Sequence, residues 1–130
     1  MNAILCLTIV LITAAITSPA VAADKPAGAK QLRHVVSFKF KDGTTPEQID
    51  KVIAEFRALA KKVPGTPGFE YGVNNSPEGK ARGCTHCFTL TFKSEADRDT
   101  YLPHPAHKDF GKIVRPLLEE VFVIDYWAQP

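Results

Sequence analysis

No charged side chain occurs before Asp24. The apolar part of that stretch, Ala3 to Ile16, falls short of the roughly 20 residues that a spanning helix needs. Thr17, Ser18 and Pro19 follow, and then Ala20-Val21-Ala22-Ala23, a small-residue pattern of the A-x-A kind. That order predicts a secretory signal peptide over residues 1–22, although the only positive charge at its start is the terminal amine. Cleavage after Ala22 leaves a short polar tail over 23–30, a folded domain over 31–130, and no stable membrane span. The expectation is an exported protein, periplasmic or secreted. Cysteine is also scarce. Cys6 falls inside the signal segment, with no lipobox around it, so only Cys84 and Cys87 remain. Phe88 follows Cys87 where a haem-attachment motif needs histidine. Residues three apart on a strand point to opposite faces, which argues against a working dithiol. A disulfide stays open if Cys84 belongs to the preceding loop. A basic stripe is missing too: 16 Lys and Arg are scattered among 14 Asp and Glu, for a net charge of +2, and nucleic acid is not expected as a partner.

What remains is strongly patterned. Leu32, His34, Val36, Phe38 and Phe40 alternate with Arg33, Val35, Ser37 and Lys39, which predicts a strand. Thr45, Pro46 and Gln48 form the start signal of a helix, an N-cap with proline at the first position and a capping box. Ile49, Val52, Ile53, Phe56, Leu59, Ala60 and Val63 then recur at helical spacing. Pro64 to Gly68 breaks the helix. Phe69, Tyr71 and Val73 mark a second strand, and Thr85 to Phe92 a third. Ser94 caps a short helix, Glu95 to Tyr101. A further helix is expected from about Ala106 to Glu119, kinked at Pro116, and a last strand over Val121 to Trp127. The order β-α-β-β-α-(α)-β is that of an α+β ferredoxin-like domain, a split βαβ sheet with helices on one face. The other face carries Val35, Ser37, Cys87, Thr89 and Thr91, with Phe122, Ile124 and Tyr126. This mixed face looks more like a surface that pairs with a second sheet than one left to water, and it predicts a homodimer.

Three of the four histidines, His86, His104 and His107, lie in the C-terminal half, the last two three residues apart beside Tyr101. The fourth, His34, shares the helix-facing side of its strand with Phe38 and Phe40. Tyrosine and imidazole between sheet and helices suit proton removal next to a carbonyl. The imidazole takes the proton and the hydroxyl polarises the oxygen. The same rings also suit a plainer role, tying the helix bend to the sheet, because buried imidazole nitrogens need partners. A third role is metal binding through His104 and His107 with His34 or His86. No acidic residue is placed by the sequence to orient them.

Leu32-Arg33-His34-Val35-Val36-Ser37-Phe38-Lys39-Phe40-Lys41, Gly83-Cys84-Thr85-His86, His104-Pro105-Ala106-His107 and Asp125-Tyr126 together resemble the stress-responsive A/B barrel (Dabb) family. The likeness spans roughly Gln31 to Trp127. It implies a dimeric α/β barrel in which two ferredoxin-like sheets close on each other. A plant polyketide cyclase of this family closes a polyketide thioester by aldol condensation. That resemblance implies Tyr101 and His107 as catalytic residues and His34, His86 and His104 as pocket residues. The expected function is binding of a small apolar ligand between sheet and helices, with a cyclase or lyase activity as the alternative and metal binding as a further one. No cofactor is implied.

Overall fold

A computed structural model describes residues 30–66 and 68–129. The expected signal peptide and most of the polar tail lie outside these residues. The elements run β1 (Leu32–Phe40), α1 (Pro46–Lys62), β2 (Gly68–Val73), β3 (His86–Phe92), α2 (Glu95–Tyr101), α3 (Pro105–Val114), a 3-10 turn (Arg115–Leu117) and β4 (Leu118–Trp127). The strands form one antiparallel sheet in the order β2-β3-β1-β4. This is the ferredoxin-like α+β arrangement expected from the element order.

Local chemistry accounts for the helix starts. Thr45 accepts from the Gln48 amide while the Gln48 side chain accepts from the Thr45 amide, so two otherwise orphaned donors are satisfied reciprocally. Ser94 accepts from the Asp97 amide at the head of α2. Burial alternates cleanly along β1, with Leu32, His34, Val36 and Phe38 inside. The core lies between sheet and helices. The Phe56 ring of α1 packs within 6.1 Å of those of Phe38, Phe69, Phe88 and Phe110. Each of these side chains except the half-buried Phe69 is worth about 1.5–3 kcal/mol relative to exposure.

The C-terminal region corrects the expected boundaries. The α-helix ends at Val114 instead of continuing to Glu119, and β4 opens at Leu118, three residues before Val121. Pro116 lacks an amide hydrogen and its ring crowds the carbonyl four residues back, so the chain tightens into a 3-10 turn. Pairing then takes over, with Leu118 opposite Phe40 across an irregularity at Lys39/Phe40.

The helices do not reach across the whole sheet. On β4, Val121 and Val123 face the helix side yet remain 55% and 49% exposed. Phe122, Ile124 and Tyr126 are exposed on the opposite face. Cys84 lies in the loop before β3, half-buried, and Cys87 is exposed on β3; among the described residues both are free thiols. Among the described residues, no helix is long and apolar enough to cross a membrane.

Candidate functional site

Three elements converge on one tyrosine. β1 turns His34 toward the helices, where it is 6% exposed. In the sheet His34 lies opposite Leu90 of β3 on one side and Asp125 of β4 on the other. The seven-residue helix α2 ends at Tyr101, whose side chain is fully buried. Its ring lies 5.9 Å from that of His34, 5.4 Å from Phe92 and 4.7 Å from His107. The Tyr101 hydroxyl is buried without a hydrogen-bond partner among the described residues.

The rings beside it are held by different acceptors. His107 Nδ1 lies 2.9 Å from the Leu102 carbonyl oxygen. A carbonyl only accepts, so Nδ1 carries the hydrogen and Nε2 the lone pair. His34 Nδ1 lies 2.6 Å from Asp125 Oδ1, so the same logic leaves the His34 lone pair on Nε2. Asp125 is itself fixed, because its Oδ2 accepts from Arg98 of α2 at 3.0 Å.

His34, Tyr101 and His107 are therefore brought together as a group. His104 stands at its edge in another task. It is the N-cap of α3, and its Nδ1 accepts from the Ala106 amide at 3.1 Å. Pro105 follows at the first helical position. The structure does not bring His86 to the group. His86 lies opposite Phe38, four residues along β1 from His34, or about 13 Å at 3.3 Å per residue. There it packs its ring edge on Phe40 at 5.4 Å and contacts Thr85 Oγ1 at 2.9 Å. With Ser37, Arg82, Cys84 and Phe122 it lines a separate cavity of about 960 Å³ at that end of the sheet.

The sequence missed Asp125 and Arg98. A carboxylate in the otherwise apolar run Val121 to Trp127 was the available signal. Its meaning depends on β4 lying beside β1, which brings Asp125 opposite His34. The sequence placed no acidic residue to orient the histidines; the register of β4 supplies Asp125 to His34. Among the described residues, no three His, Cys, Asp or Glu side chains are grouped to hold a metal ion. The metal alternative loses its ligand set, because His104 caps a helix and His86 is remote.

Burial pushes the Tyr101 hydroxyl well above the ordinary tyrosine value, so it stays neutral and keeps a proton to donate. Burial also holds the His107 ring below its ordinary value. Nearby His34 and Arg115 add to this, and the Leu102 hydrogen bond opposes it. A neutral phenol, a neutral imidazole and a carboxylate-backed imidazole can together bind one oxygen atom and move one proton.

Residues 32–128 match the Stress responsive A/B Barrel Domain (Dabb) family. The chain is 37% identical over 95 residues to the stress-response A/B barrel domain-containing protein HS1 of Arabidopsis thaliana, covering 73% of this chain and 87% of that one. It is 30% identical over 95 residues to olivetolic acid cyclase of Cannabis sativa, covering 73% and 94%. Among solved structures, the hydroxynitrile lyase of Passiflora edulis superposes with a TM-score of 0.72 at 29% identity, covering 78% of this chain and 96% of that one. A dimeric ferredoxin-like protein from Jannaschia sp. does so at 0.65 and 26%, covering 74% and 97%.

Proposed function

The chain belongs to the stress responsive A/B barrel domain family, and we propose that it is an exported homodimer that binds a small apolar carbonyl compound at Tyr101 and moves a proton beside it. The observation that carries this is the orphaned hydroxyl of Tyr101, whose ring packs against two imidazoles. A buried donor without a partner costs about 1–3 kcal/mol. A fold that keeps one, on a ring packed against two proton-accepting rings, holds it for an oxygen that arrives with a ligand. The hydroxyl is closed off from solvent, so a ligand reaches it by displacing the half-exposed bend from Leu102 to His107. Val121 and Val123, exposed on the same face of β4 as Asp125, offer it apolar surface.

Two of the relatives support the chemistry by what they are: a cyclase and a hydroxynitrile lyase. In the cyclase chemistry a carbon–carbon bond is made at a carbonyl, and a hydroxynitrile gives up its nitrile carbon to leave one. Each needs an oxygen held and one proton moved. Tyr101 holds the oxygen, and a neighbouring imidazole takes the proton. Two probes test this on the mature chain, benzaldehyde release from mandelonitrile and deuterium uptake from D2O at the carbon next to a ketone. Turnover of either by the wild type, lost in Tyr101→Phe, is the expected result. No turnover, together with no ligand-induced shift in the Tyr101 or His107 resonances, overturns the proposal.

The dimer rests on the exposed face carrying Phe122, Ile124 and Tyr126, and on the dimeric relative. Two such sheets packed face to face form the expected α/β barrel. Export rests on the uncharged start of the chain, and a mass corresponding to Ala23–Pro130 in the exported fraction tests it.

A further inference from the structure

The site offers two imidazoles with a free Nε2, and they differ in what stands behind them. His107 leans on the uncharged Leu102 carbonyl. His34 leans on the Asp125 carboxylate, and Arg98 pins the other oxygen of that carboxylate. This three-link chain spans β1, β4 and α2 and is largely sheltered, with side-chain exposures of 7% for His34, 26% for Asp125 and 21% for Arg98.

A ring that accepts a proton in a buried place must have its new charge compensated. The groups facing His34 are Asp125 from β4, Tyr101 from α2 and His107 from α3, with Phe92 of β3 closing the remaining side. Asp125 alone among them carries a negative charge. Around His107 the neighbours are Tyr101, His34 and Arg115, and none is an anion. Building on the reading of Tyr101 above, we propose that His34, not His107, takes the proton, with Asp125 and Arg98 as positioning residues. His107 then stays neutral beside Tyr101.

For a hydroxynitrile the step balances as follows. Nε2 of His34 accepts the hydroxyl proton, and the O–H electron pair becomes the second bond of the new carbonyl. The bond to the nitrile carbon breaks, and its electrons leave with cyanide, which collects the proton from His34 as hydrogen cyanide. Asp125 keeps the ring in the tautomer this needs and neutralises the imidazolium between the two transfers. Arg98 keeps the carboxylate from rotating away from His34.

Two measurements on the mature chain decide it. In the first, nitrogen NMR of the histidine rings shows His34 as the Nδ1–H tautomer, with a strongly hydrogen-bonded proton that is lost in Asp125→Ala. A mixed or Nε2–H tautomer in the wild type overturns the proposal whatever the turnover. In the second, with mandelonitrile, His34→Gln lowers kcat by about a hundredfold or more, and at least about tenfold further than His107→Gln. Arg98→Met lowers kcat by about tenfold with KM kept, and Arg98→Lys restores part of it. The reverse ranking of the two histidines overturns the proposal while Tyr101 keeps its role. Absence of turnover in the wild type removes the reaction itself, and the assignment of His34 falls with it.

Discussion

Replacing Tyr101 by phenylalanine separates stability from function in opposite directions. The ring contacts to His34, Phe92 and His107 survive the change, and only the buried, unpartnered hydroxyl is removed. Relieving an unsatisfied buried donor returns about 1–2 kcal/mol, within the usual cost of leaving one unmade. For a domain of about 100 residues, each kcal/mol moves Tm by roughly 4–8 °C, so the variant should melt several degrees higher. Tyr101→Ala is the control. It removes the ring as well and should lose about 3–5 kcal/mol, as large aromatic truncations do. Thermal melts followed by circular dichroism, with urea titrations alongside, read both values. The same variant should lose the stabilisation that a bound carbonyl compound confers, about 2.7 kcal/mol at a hundred times Kd. A Tyr101→Phe variant less stable than wild type by 1 kcal/mol or more would refute the reasoning. Its hydroxyl would then be bonded in the folded protein and not held in reserve.

Acid should weaken the fold through two histidines. Burial lowers both His107 and His86 below the ordinary value, so the unfolded chain binds more protons than the folded one in acid. Their contribution is complete above about pH 6.5, the unfolded value, and is lost as pH falls through the lowered folded values. Urea midpoints at neutral and acid pH should show that loss, flattened in His107→Gln and His86→Gln. His104→Ala removes the acceptor for the Ala106 amide and should cost about 0.5–2 kcal/mol, while serine or asparagine there should restore it. Ile124→Asp or Phe122→Lys, on the exposed sheet face, should halve the mass measured by light scattering while leaving the circular dichroism spectrum intact.

Much of the fold was legible because local rules and tertiary packing agree. The alternation of β1, the Thr45–Gln48 box with Pro46, and the apolar stripe of α1 each name their element without help from distant residues. The boundary after α3 was misjudged because two effects compete there. Helical periodicity carries through Leu117 and Leu118, while Pro116 and pairing with Phe40 pull the same residues out of the helix. Half of the site was legible in the same sense. Tyr101 and His107 are close in sequence, and a short helix followed by a bend keeps them close in space.

The sequence alone thus determined the element order, the inward face of His34 and the local Tyr101–His107 pair, since each follows from a repeat of two or 3.6 residues or from a cap. Only the tertiary structure decided which distant groups meet. It paired β1 with β4, set Asp125 against His34, brought Arg98 to the other carboxylate oxygen, and left His86 at the far end of the sheet. The reason is physical. Periodicity assigns a residue to a face, but its position along the strand and its neighbour across it are fixed only by the register of the hydrogen-bonded ladder.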